Sequence, residues 1–177
     1  MANIKFSAQE DWTVTDLQVF FHQLNILYNR LHVIENLKPD RTGKLSNILN
    51  GSLSYVPKEE QLLVDFIEIH SPAKFSLKGV DKIIGQVRGI IKDIWYDNSL
   101  EKKKKQRQLE HQASLNEIEL ANQRMSLIER QINILRNAGF SNEEIQENIR
   151  KLTDPVEKIS SVMQQREVVL LDEDEYT

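Results

Sequence analysis

Residue types that commonly carry catalysis or bind metals are few in this sequence and form no familiar pattern. Cysteine is absent, which excludes a thiol nucleophile, thiolate-bound zinc and iron–sulfur clusters. No two histidines lie at H-x-x-x-H or H-x-x-E-H spacing, so the sequence predicts no metal site and no cofactor. The histidines are His22, His32, His70 and His111.

His70 and Ser71 are adjacent and have the residue types of a base and a nucleophile. Neighbouring residues of a strand point to opposite faces of a sheet, so these side chains cannot simply form a hydrogen-bonded pair. We interpret them as polar residues at a strand end and expect that the protein is not an enzyme. Catalysis through His70 is a weaker hypothesis than the two others developed below, protein assembly and binding to nucleic acid or another anionic surface.

A basic stretch is the sharpest charge feature. Residues 101–112 hold five basic and two acidic side chains, a pattern that can contact phosphates or an acidic partner. No aromatic residues are interleaved for base stacking, which favours a solvated helix face instead. The residues that would make such a contact are Lys102, Lys103, Lys104, Lys105 and Arg107.

The C-terminal residues 166–177 hold one basic and five acidic side chains. They could meet the basic stretch of a neighbouring chain, which would adjust assembly only weakly because surface ion pairs contribute little. The aliphatic run 168–171 is interpreted as part of a frayed tail. The alternative is a short strand that adds to a sheet, in another subunit for example.

Size and charge narrow the class of protein. The chain has 177 residues and a mass of 20.7 kDa, which fits one ordinary domain with or without an appendage. Its net charge of -4 argues against a dedicated nucleic-acid binder. The aliphatic runs 62–64 and 168–171 are too short to span a membrane. Residues 1–12 lack the apolar segment of a secretory signal, so we expect a soluble cytoplasmic protein.

Aromatic residues divide the chain in two. Ten of the 12 lie within the first 96 residues, whereas the later part is rich in Glu, Gln, Lys, Ile and Leu. This change of composition predicts a packed head, residues 1–98, and an extended helical arm, residues 99–167. An acidic tail, residues 168–177, follows.

Within the head, apolar residues at three- and four-residue steps predict a helix over 15–37, with Thr15 and Gln18 as its capping box. Residues 62–70 are predicted to form an interior strand, because apolar residues occupy both of its faces. The Ser71-Pro72 turn should join this strand to a second one in a hairpin. Residues 2–6 are predicted as an edge strand, and 44–57 fit either a helical turn or a strand.

The three-to-four period returns at Val80 and predicts a helix that continues to about residue 137, because no Pro or Gly interrupts it after Ile90. Gly85 and Gly89 lie in this helix, and we interpret them as sites of close packing on the sheet.

A heptad pattern in the arm predicts helix–helix packing. Its positions are Ile118, Ala121, Met125, Ile128, Ile132 and Leu135. A second stripe, Leu120, Leu127 and Ile134, lies about 100° away on the helix, and this wide apolar arc predicts at least two neighbouring helices.

One of those neighbours lies in the chain itself. Residues 137–140 are predicted to end a helix with a left-handed Gly139, and Ser141 with Glu144 forms a capping box that starts another. The matching apolar period of 142–165 predicts an antiparallel hairpin of 112–137 against 142–165. Pro155 should begin a new helical segment, with a kink but the same direction.

The run from Phe66 to Gly79, FIEIHSPAKFSLKG, resembles a segment of small bacterial α+β domains in which a Ser-Pro hairpin leads into a long charged helix. Residues 136–141, RNAGFS, resemble the turn in the long-helix region of those domains. Such domains are similar to the N-terminal domain of the adaptor TRADD and occur in bacterial conflict or antiviral systems. The resemblance covers residues 12–150 and implies a two-layer α+β head and an adaptor or assembly role, without catalytic residues.

The sequence therefore predicts a non-enzymatic interaction protein that forms homo-oligomers or binds a protein partner. A bacterial defence role is what the resemblance implies. Self-association is assigned to the arm residues Leu120, Leu127, Ile134, Ile118, Met125 and Ile128. The alternative is binding of nucleic acid or another anionic surface through residues 102–107.

Overall fold

The structure is a computed structural model that describes residues 1–8, 11–37, 56–68, 72–106 and 128–171, the segment 95–106 by its backbone alone. Residues 38–55, which include most of the ambiguous segment 44–57, and His70 with Ser71 lie outside these residues.

Four strands of the described part of the chain form one sheet. They are β1 (Ala2–Ala8), β2 (Leu63–Glu68), β3 (Ala73–Gly79) and β4 (Val168–Leu171), in the order β2-β3-β1-β4 with every neighbouring pair antiparallel. With a helix after β1 and helices after β3, this is the β-α-β-β-α-β arrangement of ferredoxin-like domains, extended by extra helices before β4. The predicted α+β class is confirmed.

The register places the large apolar side chains of the central strands β1 and β3 on one face. Phe6 of β1 lies opposite Phe75 of β3 and Leu170 of β4, and Ile4 lies opposite Leu77. Alternate positions of these two strands pair polar residues, as Lys5 with Ser76, so the other face of β1 and β3 is polar. We call the apolar side the core face, and the helices pack on it as a second layer.

Helix α1 (Val14–Glu35) covers the centre of the core face. Phe20 makes edge-on ring contacts with Phe6 and Phe75, at centroid distances of 5.4 and 5.5 Å, the arrangement that aromatic quadrupoles favour. The capping box is formed by Thr13 and Asp16, so the prediction of Thr15 and Gln18 is wrong. The Asp16 carboxylate accepts from the Thr13 backbone N–H, as N-terminal capping requires.

The hairpin of β2 and β3 is confirmed, but β2 is an edge strand and not the predicted interior strand. All six of its residues are exposed. Conversely, β1 lies between β3 and β4, so the predicted edge strand is a central one. Apolar residues on both faces of β2 therefore do not reflect burial on both faces.

Helix α2 (Asp81–Gln106) begins where the sequence period returns, and its apolar side joins the core. A Cβ at Gly85 or Gly89 would have no neighbour within 4 Å, so the prediction of close packing at these glycines is wrong. Close packing occurs at Gly79, where a Cβ would lie 2.7 Å from the Tyr28 ring. Whether α2 continues from residue 107 to 127 lies outside the described residues.

The helical hairpin of the arm is present from residue 128 onward. Helix α3 (residues 128–137) ends at Gly139, whose φ of 88° is left-handed as predicted. The predicted capping box of Ser141 and Glu144 then starts helix α4 (Asn142–Gln165). Leu135, Phe140 and Ile145 form a small core at the turn. The predicted segment 112–127 lies outside the described residues.

Pro155 lies inside α4 and does not begin a new segment, because the helix is continuous from residue 142 to 165. Proline lacks the N–H that would bond to the Lys151 carbonyl one turn earlier. The Arg30 guanidinium of α1 donates to that carbonyl instead. A partner helix therefore satisfies the backbone group that Pro155 leaves unpaired.

Helix α4 and strand β4 share the main hydrophobic core with the head. Their contribution consists of Leu152, Ile159, Val162, Met163 and Val168. The core is thus continuous across the predicted boundary at residue 98, while the division into 1–98, 99–167 and 168–177 as folding units stays a prediction. Because 168–171 form β4 on β1 of the same chain, the frayed-tail interpretation is wrong for these four residues.

Candidate functional site

The residues predicted to mediate self-association are only partly described, since Ile118, Leu120, Met125 and Leu127 lie outside the described ranges. The structure does not bring the remaining two together on one surface. Ile128 is 41% exposed and lines a cavity, whereas Ile134 is half-buried against the main core.

The basic stretch lies in α2. Residues 102–105 belong to the described part of this helix, and Arg107 lies beyond the described part.

His32 has a structural environment that sequence analysis missed. The side chain is buried, and its Nε2 lies 2.6 Å from Oε2 of Glu60, just before β2. One turn earlier, the Tyr28 hydroxyl donates to the Glu60 carbonyl at 2.7 Å and accepts from the Val80 N–H at 2.9 Å. Burial raises the pKa of Tyr28, as does the charge of Glu60, against the opposing hydrogen bond from Val80. These contacts connect α1 to both ends of the hairpin.

Glu35 contacts several side chains of other helices. Its carboxylate, only 3% exposed, lies 2.5 Å from Lys82 Nζ and 3.1 Å from an Arg130 nitrogen. Gln86 and Gln131 also donate to it. Burial alone would raise the pKa of Glu35, but these hydrogen bonds and the charges of Arg130 and Lys82 outweigh burial and lower it. Glu35 thus joins α1, α2 and α3.

Strand β2 is the most exposed apolar element that the structure describes. Leu63, Val64, Phe66 and Ile67 are 41%, 57%, 44% and 44% exposed. A bulge at Asp65 shifts the register, so Val64 and Ile67 lie opposite Leu77 and Phe75 on the core face. The core face therefore extends along β2 beyond the part that the helices bury, and among the described strands none pairs with its outer edge.

A cavity of about 440 Å³ opens between helices α1, α2, α3 and α4. Leu31 of α1, Ile94 of α2, Ile128 of α3 and Val156 of α4 contribute to its apolar lining. Sequence periodicity identified these positions as apolar but could not show that a space remains between the helices.

The described residues contain no group of three or more His, Asp or Glu side chains suited to a metal ion. Within the same ranges, no helix combines the length and the apolar character that a membrane crossing needs. The chain matches no known family model, and no curated protein or solved structure shows significant similarity to it. The edge strand β2 and the cavity are therefore the features from which a function can be argued.

Proposed function

We propose that this protein is a non-enzymatic assembly protein that associates with further copies of itself, and that β2 is a contact surface in that assembly. The observation that carries the proposal is the exposed, apolar strand β2, whose outer edge pairs with none of the described strands. An edge strand offers backbone N–H and C=O groups to another strand, and strand addition is a common mode of protein recognition.

Two copies can meet through β2 around a twofold axis, because each then offers the same edge to the other. Their sheets would join into one continuous sheet, and Val64 and Ile67 would lose exposure on the core face. The bulge at Asp65, together with the ion pair of Asp65 and Lys78 at 3.1 Å, would restrict the registers in which another strand can pair.

The arm is the second contact surface of the proposal. Its residues Leu120 and Leu127 belong to the second apolar stripe of the arm, for which the sequence predicts a further neighbouring helix. A role in bacterial defence rests only on the resemblance of residues 66–79 to domains of such systems.

Light scattering tests the proposal and separates the two surfaces. The wild type should exceed 20.7 kDa at tens of micromolar. Val64→Lys with Ile67→Lys should lower the mass if β2 mediates assembly, whereas Leu120→Glu with Leu127→Glu should do so if the arm does. Val14→Lys is the matched control, because Val14 is an 82% exposed valine outside the sheet. A monomeric wild type would refute self-assembly.

The alternative function, binding of nucleic acid or another anionic surface, is supported by the run of lysines at 102–105 in the described part of α2. Binding to generic DNA and RNA at two salt concentrations tests it, because phosphate contacts weaken steeply with salt. Salt-sensitive binding that is lost on Lys→Glu reversal at 102–105 would favour this alternative.

A further inference from the structure

The cavity between helices α1, α2, α3 and α4 has the size of a small-molecule site. Its volume of about 440 Å³ falls within the range of roughly 300–1,000 Å³ that is usual for ligand pockets. Seven of its twelve described lining residues are aliphatic, and none of the twelve belongs to β2. Such a lining favours a hydrocarbon chain, because the chain is removed from water on binding. A role for this cavity therefore does not rest on the proposed assembly.

The charged groups of the lining do not require a charged ligand. Asp93 already interacts with another residue, and Glu157 is exposed, so water solvates its carboxylate. None of the twelve described lining residues is Lys, Arg or His, so an anionic head group would meet no counter-charge. An ion of either sign would lose its hydration in the cavity without gaining an ion pair there, which is costly. The lining therefore favours an uncharged ligand.

Gln131 supplies a hydrogen-bond acceptor at the cavity. The residue belongs to the lining and is only 2% exposed, and its Nε2 donates to a carboxylate oxygen of Glu35 at 3.4 Å. This contact fixes the amide orientation, because a flipped amide would place its oxygen against the carboxylate. The carbonyl oxygen Oε1 is therefore directed away from Glu35, and it is buried without a hydrogen-bond partner among the described residues. A buried acceptor without a donor is costly, so a ligand that carries an uncharged donor complements this lining.

We propose that this cavity binds an uncharged aliphatic alcohol. The hydrocarbon chain lies against Ile94 of α2, Ile128 of α3 and Val156 of α4, all of which line the cavity. The hydroxyl donates to Gln131 Oε1 and provides the donor that this oxygen lacks among the described residues. A hydroxyl supplies one donor without a charge. It therefore costs less to remove from water than an ammonium or a carboxylate.

Four probes of matched size test the proposal by titration calorimetry: octanol, its isomer methyl heptyl ether, octylammonium and octanoate. We expect octanol to bind with 1:1 stoichiometry and at least about tenfold more tightly than either ion, because an unpaired charge is costly to bury. The ether has the atoms of octanol but no donor, and it should bind about fivefold more weakly, the factor that one neutral hydrogen bond contributes. Failure of octanol to bind at millimolar concentration would overturn the proposal, as would equal or tighter binding of the ether or of either ion.

A filled cavity provides the structural control. Val156→Trp should abolish octanol binding, because the indole occupies the space of the chain. Lys158→Trp introduces the same side chain two residues further along α4, on an exposed position of the opposite face, and should bind octanol like the wild type. If both variants bind it equally, the probe occupies another site and the proposal is wrong. Ile128→Trp, at a lining position that is 41% exposed, replaces Val156→Trp if the latter does not fold.

Gln131→Met tests the contact with the hydroxyl, because methionine has a similar length but no amide oxygen. It should weaken octanol binding about fivefold and leave binding of the ether unchanged; equal effects on the two probes would contradict a hydrogen bond to Gln131. If this variant does not fold, the probe ranking and the tryptophan variants still decide. Occupation of the cavity by a second copy of the chain would appear as a mass above 20.7 kDa without probe binding, which would overturn the proposal but leave the assembly function intact.

Discussion

The two edge strands of the sheet, β2 and β4, differ in burial, and the difference is the opposite of what their sequences predict. Strand β2 has six residues, is joined to β3 by a hairpin connection, and is exposed throughout. Strand β4 has only four residues and pairs with β1 across most of the chain length. Yet Val168 of β4 is 3% exposed and belongs to the main core.

The difference lies in what each strand is attached to. Strand β4 follows α4, which packs against α1 and contributes Ile159 and Met163 to the same core. Strand β2 is connected through a hairpin, and the described helices leave its core-face residues Val64 and Ile67 exposed. Burial of an edge strand therefore depends on the helix that accompanies it more than on its own apolar content.

The largest effect is expected from removing everything that brings β4 to the sheet. A chain that ends at residue 98 lacks Leu152, Ile159 and Val168, each part of the core. Loss of a large buried aliphatic side chain costs about 2–5 kcal/mol, against a total stability of about 5–15 kcal/mol. We expect no cooperative thermal transition by circular dichroism.

A chain that ends at residue 171 is the control, because it keeps every described strand and helix, and it should unfold cooperatively. A cooperative transition in the chain that ends at residue 98 would instead establish the predicted head as a folding unit. It would also show that the head folds without α4 and β4. The difference between the two edge strands would then be one of packing and not of folding.

A smaller effect separates the edges by matched substitutions. Val168→Ala should lower the free energy of unfolding by about 2 kcal/mol, because the valine is fully buried. Val64→Ala should change it by less than about 0.5 kcal/mol, since exposed side chains contribute little. Urea unfolding of both variants measures the difference. Equal losses would show that β2 is covered in solution, which an assembly through this edge would produce in a concentration-dependent way.

The spacing of apolar residues was sufficient to predict the helices, because each helix buries one side in the core and its apolar residues therefore recur with the 3.6-residue period. The apolar positions of α2 and α4 were predicted, as were the turn at Gly139 and the capping box of Ser141 and Glu144. The helix start at Thr13 was missed, because Thr15 with Gln18 satisfies the same local pattern.

Sheet order could not be predicted, because it depends on long-range pairing. Residues 62–70 have the two-sided apolar pattern of an interior strand, yet their position at the edge follows from β1 pairing with β4. The contacts of Tyr28 and the buried Glu35 also escaped prediction, since each involves partners on elements remote in the chain. A charged residue on the buried side of a helical pattern was the only available signal for Glu35.

The smallest expected effect concerns the network that holds the helices leading to β4. Glu35 bonds to Lys82 of α2 and to Arg130 of α3, so its charge stabilises the side of the molecule that carries β4. Its pKa is lowered from 4.5 in the folded protein. A group with a lowered pKa contributes stability above its unfolded pKa and loses it as the pH falls through the folded pKa.

We expect Glu35→Gln to lower the free energy of unfolding by about 1 kcal/mol at pH 7, with the difference from wild type shrinking below pH 4.5. Glu59→Gln, at an exposed position beside β2, is the matched control and should change the free energy of unfolding by less than about 0.5 kcal/mol. Urea unfolding at several pH values measures both, and a Glu35→Gln difference that persists unchanged in acid would mean that shape, and not charge, holds α1 to α2 and α3.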